Sequence, residues 1–190
     1  MEQDSGRKLH IGGKVATAGW EILDAIPNPW VDHVGDAADL SRFADGTFEA
    51  VYASHVIEHF DYNRKLAETL REWRRVLKPD GLLYLSAPDL DVLARLFVSR
   101  DKFTVDERFA LMRMMFGGHI DPWDYHMVGL NEEFLAGFLL GCGYTALRRA
   151  DSFGLFEDTS NLRFRGVPIS VNIIAQKAAD ASAAAATTSP

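Results

Sequence analysis

The segment from Gly35 to Asp91 constrains the fold more than any other part of the chain, because helix and strand patterns alternate within it. It predicts a strand over Phe48–Ala53, a helix over about Tyr62–Leu77 and a second strand over Leu82–Ala87. The helix prediction rests on apolar residues spaced by threes and fours, which form one buried stripe. Pro79-Asp80-Gly81 is expected to end the helix and begin the next strand.

The rest of the chain continues this alternation. Further strands are predicted at Lys8–Ile11, Trp20–Asp24, Val31–Val34, Thr145–Ala150 and Ile169–Gln176, and further helices at Leu90–Val98, Val105–Phe116 and Asn131–Leu140. Strands that alternate with helices favour a mainly parallel sheet. The sequence therefore predicts an α/β fold.

Two connections near the start are too short for this architecture. Parallel neighbours need a crossover of about a dozen residues or more. Only Gly12–Gly19 separates the first two predicted strands, and only Ala25–Trp30 the next two. Either the helices on one face of the sheet are lost there, or the predicted strand register is wrong.

Length and composition fit one domain. With 190 residues, 47% of them hydrophobic, the chain can bury one core. We expect a single domain over residues 1–177, with an insert at residues 99–130 that follows a strand and can roof a pocket. Residues 178–190 read AADASAAAATTSP, a low-complexity tail that we expect to be disordered.

The net charge and the cysteine content limit which partners and which cellular location are expected. The net charge of −7 argues against a broad nucleic-acid or anionic-membrane surface, although a small basic patch stays open. Cys142 is the only cysteine, so no internal disulfide can form, and a reducing cytoplasmic setting is expected. The polar start, MEQDSGRK, lacks the apolar core of a signal peptide. No apolar run approaches the ~20 residues that span a bilayer.

Glycine and acidic residues follow three of the predicted strands. Gly12 and Gly13 follow the first, where glycine lets backbone approach a ligand, although a simple turn explains them equally well. Asp24 ends the second strand and could accept ribose hydroxyls, or be an ordinary turn carboxylate. Asp36 after the third could accept an adenine amino proton, with Ala37 leaving room for the ring, or Asp36 or Asp39 could cap a short helix. Ligands of open α/β sheets bind at this edge.

The fourth strand leads into a histidine motif. Residues 55–59 read HVIEH, the H-x-x-E-H pattern of some zinc peptidases, in which a helix would place His55 and His59 on one face toward the metal. The less specific interpretation is that Ser54 and His55 line a pocket edge. Glu58 and His59 would then fix the loop by hydrogen bonds. We expect no metal here.

Together these segments resemble class I S-adenosylmethionine-dependent methyltransferases. The resemblance is carried by LHIGG, GWEILDA, VDHVGDAADL, FEAVYASHVIEHF and LREWRRVLKPDGLLYLSAPDL, and it covers residues 7 to 177 approximately. It is strongest to small methyltransferase-domain proteins often linked to surface-sugar biosynthesis. It implies a Rossmann-like fold that ends in an antiparallel strand hairpin, with S-adenosyl-L-methionine as the cofactor.

The resemblance also implies roles for individual residues. Gly12 and Gly13 match the start of the glycine-rich cofactor loop, and Asp24 matches the acid that binds the ribose. Asp36 and Ala37 match the adenine side. The post-strand residues that match the methionine side are Ser54 and His55, and the segment Arg75–Gly81 matches a structural turn.

The insert at residues 99–130 is the expected acceptor side. Its polar and aromatic end contains His126 and His119, either of which could act as a general base if a hydroxyl is methylated, or be structural. The expected partner is a small-molecule or glycan acceptor, through O-methylation. The insert could instead cover the face that the short crossovers leave bare, or form a homodimer surface.

Two other functions stay open from the sequence. Lys14, where the family has another glycine, and the short crossovers favour a catalytically inactive binding or scaffold protein on the same fold. The H-x-x-E-H pattern favours a zinc hydrolase built on His55, Glu58 and His59.

Overall fold

A computed structural model describes residues 6–178, and these contain one seven-stranded mixed sheet in the order β3-β2-β1-β4-β5-β9-β6. Strands β1 to β5 are mutually parallel, and β9 runs antiparallel between β5 and β6. The strands of this sheet are β1 (Lys8–Ile11), β2 (Glu21–Asp24), β3 (His33–Val34), β4 (Phe48–Ser54), β5 (Leu77–Pro88), β6 (Tyr144–Arg149) and β9 (Ser170–Lys177). The predicted α/β, Rossmann-like sheet with a C-terminal antiparallel pair is confirmed.

Four helices lie close to their predicted positions: α1 (Lys65–Val76), α2 (Leu90–Val98), α3 (Val105–Phe116) and α4 (Glu132–Gly141). Helices α1 and α4 pack on one face of the sheet. Leu66, Leu70 and Trp73 of the predicted stripe are fully buried in that core. Helix α1 ends at Val76 and β5 begins at Leu77, so Pro79-Asp80-Gly81, expected to lie between the helix and the strand, are part of β5.

The helices are indeed lost at both short crossovers. Residues 12–20 connect β1 to β2 and residues 25–32 connect β2 to β3, and neither segment contains a helix. The predicted strands nevertheless pair in parallel, with Leu9 opposite Glu21 and Leu23 opposite His33. The first of the two alternatives is therefore correct, and one face of the sheet has no crossover helix here.

Aromatic rings from the segment after β6 cover this face. The His10 and Phe156 ring centroids lie 4.2 Å apart, and those of Tyr52 and Phe156 lie 4.6 Å apart. Phe153 lies 5.5 Å from Tyr52 and 5.6 Å from Tyr84. The alternative in which the insert at residues 99–130 covers these rings is wrong, because Phe153 and Phe156 do so.

The insert packs elsewhere. Its helix α3 contributes Leu111 to a small cluster with Leu93 of α2 and Ile169. Thr104 begins α3 with a capping box to Glu107, the arrangement in which each residue bonds the other's backbone N–H. No described helix is long and apolar enough to cross a membrane.

The connection between β6 and β9 contains an unpredicted small hairpin, β7 (Arg163–Phe164) with β8 (Val167–Pro168). The predicted disordered tail at 178–190 lies, apart from its first residue, outside the described residues.

Candidate functional site

The glycine turn after β1 has a backbone that suits glycine. Gly12 has a φ of 76°, and its N–H donates to the Leu23 carbonyl over 2.8 Å, which ties the turn to β2. A Cβ atom on Gly12 would lie 2.9 Å from Cγ2 of Val56. The turn therefore needs glycine for both conformation and space.

Gly13 lies against a buried histidine. A Cβ atom on Gly13 would lie 2.9 Å from Nδ1 of His10, a buried nitrogen without a hydrogen-bond partner among the described residues. Burial lowers the pKa of His10 to about 4, so its imidazole is neutral near pH 7. The space beside Gly13 is thus lined by a neutral ring.

Asp24 ends β2 with a buried carboxylate that has two partners. Its Oδ1 accepts the Ile26 N–H over 2.8 Å, and its Oδ2 accepts Nζ of Lys14 over 2.9 Å. The Lys14 side chain is 70% exposed. The backbone bond orients the carboxylate, while an ammonium that is free to move into solvent occupies the outer oxygen.

The third strand end holds Asp36 and Ala37. Asp36 is exposed, and its Oδ1 accepts the Ala38 N–H over 2.8 Å. No helix begins there, so the helix-cap alternative is wrong, and the carboxylate stabilises a turn instead. The Ala37 carbonyl accepts Nε1–H of Trp73 over 2.7 Å, which fixes this turn on helix α1.

Ser54 and His55 at the end of β4 are held by the chain's C-terminal region. The Ser54 and Thr159 hydroxyl oxygens lie 2.8 Å apart, and Nε2 of His55 lies 2.9 Å from Oγ of Ser170. His55 has a left-handed φ of 54°, and burial lowers its pKa to about 3. Both side chains therefore have partners at this edge.

A polar network beside these residues was not predicted. The Tyr52 hydroxyl lies 2.8 Å from Oδ2 of Asp158 and 3.1 Å from Oγ of Ser160. Burial raises the pKa of Tyr52, which keeps the phenol protonated and able to donate. A buried tyrosine needs a polar partner for its hydroxyl, but Asp158 lies 106 residues away in sequence, so the sequence could not identify it.

The H-x-x-E-H segment does not form the helix that the zinc-peptidase interpretation needs. Only Ile57–His59 is helical, as one 3-10 turn, and His55 bonds Ser170 instead. The structure brings His126 to Glu58 and His59, and one ligand atom of each lies within 4.8 Å of the others.

Of the two side chains expected to fix this loop by hydrogen bonds, His59 does so and Glu58 does not. Nδ1 of His59 lies 3.0 Å from the Tyr125 carbonyl oxygen, as a loop-fixing histidine should. The Glu58 side chain is buried, and neither carboxylate oxygen has a hydrogen-bond partner among the described residues. The Glu58 carbonyl accepts the Met127 N–H over 2.8 Å, so the insert ends against the exit from β4.

The two candidate bases differ in environment. His126 is 11% exposed, its Nδ1 lies 3.2 Å from the Met115 carbonyl oxygen, and burial lowers its pKa to about 4. His119 is exposed and stacks on Tyr125 with ring centroids 4.1 Å apart. Their catalytic roles stay predictions, with His126 the nearer of the two to the exit from β4.

Solved structures share this fold. A methyltransferase from Methanosarcina mazei is 18% identical, with a TM-score of 0.56, and the match covers 94% of this chain and 95% of that one. A methyltransferase from Archaeoglobus fulgidus is 17% identical, with a TM-score of 0.56, and the match covers 90% of this chain and 86% of that one. A possible exported protein from Bordetella parapertussis is 16% identical at 0.57, and the match covers 92% of this chain but only 62% of that one.

Residues 23–85 match the model of a family described as a methyltransferase domain. This match covers 63 of the 190 residues and, with the shared fold, makes the chain similar to class I S-adenosylmethionine-dependent methyltransferases. The matched part runs from the end of β2 to the middle of β5, and so contains three of the four predicted cofactor strand ends. A search of curated proteins found no match.

The residues of this chain fit the cofactor that the similarity implies, S-adenosyl-L-methionine. The positive-φ turn at Gly12 lets backbone approach a ligand, and the neutral ring of His10 beside Gly13 is compatible with a cationic sulfonium. The Asp24 carboxylate stands at the adjacent strand end, where ribose hydroxyls are expected. One contact has to change, because Lys14 covers the outer oxygen of Asp24.

Proposed function

We propose that this chain transfers a methyl group from S-adenosyl-L-methionine to a hydroxyl of a small-molecule or glycan acceptor. The observation that carries the proposal is the juxtaposition of the Gly12 turn with the oriented carboxylate of Asp24. The cofactor supplies an already activated methyl group on its sulfonium, so the protein mainly has to bind and align the reactants.

The chain's own residues divide this task. Asp24 accepts ribose hydroxyls once Lys14 has moved away, and Asp36 with Ala37 forms the adenine side. Ser54 and His55 lie on the methionine side, where their bonds to Thr159 and Ser170 hold them in place.

The end of the insert suits a polar acceptor with apolar faces, such as a sugar. Trp123 and Tyr125 are exposed there, at 53% and 46%, and His119 stacks on Tyr125. Aromatic rings offer flat apolar surface, and neighbouring histidines offer hydrogen bonds. An acceptor hydroxyl must lose its proton, and the neutral His126 can accept one, although its low pKa makes it a weak base.

The Lys14–Asp24 ion pair also favours a second function, a catalytically inactive binding or scaffold protein. The pair occupies the carboxylate that the cofactor needs. However, the Lys14 side chain is 70% exposed, so its ammonium regains hydration when a ligand displaces it from the buried carboxylate. We therefore expect Lys14→Ala to change cofactor affinity by less than about fivefold.

Calorimetric titration with S-adenosylmethionine and S-adenosylhomocysteine tests the proposal. We expect binding by the wild type and at least tenfold weaker binding by Asp24→Asn, a loss of about 1.4 kcal/mol or more. Asp101→Asn removes the same charge at an exposed position of the insert and should bind normally. No heat and no thermal shift at millimolar ligand would contradict the proposal.

Transfer from methyl-labelled cofactor distinguishes the two functions. Labelled product with acceptors extracted from cells supports the enzyme and removes the scaffold. Cofactor binding without any transfer to such extracts supports the scaffold.

A further inference from the structure

Glu58 is a buried carboxyl group without a hydrogen-bond partner. Its side chain is 1% exposed, and both oxygens lack a partner among the described residues. An unpaired carboxylate in such a place is costly, and buried charges in proteins are paired or bind metals. Something in the surroundings should compensate for it.

Among the described residues, the side chains nearest to this carboxyl group are imidazoles that offer lone pairs. Nδ1 of His59 and Nδ1 of His126 each lie at hydrogen-bond distance from a backbone carbonyl, those of Tyr125 and Met115. A carbonyl only accepts, so Nδ1 carries the hydrogen in both rings, and Nε2 of a neutral ring keeps its lone pair. Nε2 of His126 lies 3.9 Å from Oε1 of Glu58, and one ring nitrogen of His59 lies within 4.8 Å of the ligand atoms of both residues.

His55 adds a third lone pair on the other side of Glu58. The Ser170 hydroxyl donates to the Thr159 carbonyl, so it accepts from Nε2–H of His55. Nδ1 of His55 is then unprotonated, and it lies 3.9 Å from Oε1 of Glu58. A proton, a cation or a water molecule that donates its hydrogens can satisfy this arrangement of acceptors.

We propose that Glu58, His59 and His126 bind a divalent transition-metal cation, with Zn²⁺ as the best match. Two imidazoles and a carboxylate are a ligand set that such cations prefer. Backbone carbonyls that hold Nδ1–H of a metal-binding histidine are also the usual outer shell of such sites. This site is separate from the cofactor carboxylates, and a cation on Nε2 of His126 would leave that ring unable to accept the acceptor proton, so His119 would then be the remaining candidate base.

The distances are close to those of a formed site. Nε2 of His126 lies 3.9 Å from Oε1 of Glu58, and all three ligand atoms lie within 4.8 Å of one another. Two ligand atoms of tetrahedral zinc are about 3.4 Å apart, so a closure of about 1 Å completes the set. Three protein ligands leave a coordination position open for water or a substrate oxygen.

The segments that carry the ligands are already joined. The Met127 N–H donates to the Glu58 carbonyl over 2.8 Å, and the rings of His59 and His126 are 5.0 Å apart in an edge-on contact. The cation would therefore link the exit from β4 to the end of the insert.

The competing explanation is a neutral buried acid. Burial raises the pKa of Glu58 to about 8 in the absence of a cation, so a protonated carboxyl group can be buried at pH 7. If this explanation holds, the wild type binds no metal, and Glu58→Gln does not differ from it in metal binding.

The test uses the full chain without a histidine tag, stripped with chelator and titrated with Zn²⁺, and with Co²⁺ for its absorption spectrum. We expect one equivalent of each to bind, with the spectrum of a nitrogen- and oxygen-ligated Co²⁺ ion. Glu58→Gln and His126→Asn should each bind at least about tenfold more weakly. The control is His33→Asn, which removes an imidazole on edge strand β3 that pairs with Glu21 of β2. This variant should bind the metal as tightly as the wild type does.

Folding of each variant is checked by near-ultraviolet circular dichroism, and His59→Asn replaces any variant that fails to fold. The proposal is overturned if the wild type binds no stoichiometric metal, or if the folded variants bind as tightly as the wild type. Neither result bears on cofactor binding, which calorimetry measures separately.

Discussion

His10 shows how one side chain can serve both the core and the cofactor side. It lies in the aromatic layer over the helix-free face, and its Nδ1, which has no partner in the described part of the chain, lies beside Gly13. A protonated ring would be a buried cation there, which is why burial depresses its pKa.

This depressed pKa predicts a loss of stability in mild acid. The pKa of His10 is about 4 when folded and about 6.5 when unfolded, so the unfolded state binds more protons between these values. Stability from this group is therefore fully present above pH 6.5 and is lost as pH falls toward 4. At pH 5 the loss is about 2 kcal/mol.

Urea denaturation at pH 7 and pH 5 measures this contribution. Between pH 7 and pH 5, the free energy of unfolding of the wild type should fall by about 2 kcal/mol more than that of His10→Gln. His119→Asn, at an exposed position, should follow the wild type. Equal losses for His10→Gln and the wild type would contradict the explanation.

Single residues could be predicted from the sequence only where a strand end marked them. Asp24 and Asp36 directly follow apolar strands, and the carboxyl ends of parallel strands meet at one edge. The Tyr52–Asp158 bond and the approach of His126 to Glu58 depend on segments that lie far apart in sequence and have no regular pattern. No local spacing could have revealed them.

At the scale of elements, Arg75 joins helix α1 to the loop that carries Asp36. Its guanidinium donates to the carbonyls of Leu40 and Phe43 and to the carboxylates of Glu72 and Asp45. Two backbone carbonyls and two carboxylates thus depend on one side chain. The turn matched by the family resemblance is structural in this way.

We therefore expect Arg75→Met to lower the free energy of unfolding by about 2–3 kcal/mol, because hydrogen bonds to charged groups are lost. Arg71→Met is the matched control, an exposed arginine one turn earlier in α1, and should change stability by less than about 0.5 kcal/mol. Thermal or urea unfolding gives both values. If the two variants are equally stable, the Arg75 contacts contribute little.

The helices and strands themselves were predictable because each has a strong periodic pattern. Predicted and observed bounds agree for β1, α2 and α3, and differ by a few residues elsewhere. The sequence did not predict that residues 151–161 cover the helix-free face of the sheet, since Phe153 and Phe156 lie in a polar stretch without helical or strand spacing. Only the tertiary structure shows that they replace the missing crossover helices.

At the scale of the whole molecule, the fold places its two candidate sites at one end. The proposed cofactor residues lie at the carboxyl ends of β1 to β4, and the Glu58 cluster follows β4 directly. A separate groove between α1 and α4, lined by Ala67, Phe134 and Phe138 among others, has a volume of about 810 Å³ and lies on the helix-covered face. The family match predicts that the cofactor binds the strand edge and not this groove.

Hydrogen–deuterium exchange with and without S-adenosylhomocysteine tests this placement most directly. Because a bound cofactor orders the backbone it contacts, we predict slower exchange in peptides that cover Gly12–Asp24 and Gly35–Ala37. Peptides from α4 should be unchanged. Protection confined to α1 and α4, or none at saturating ligand, would contradict the account.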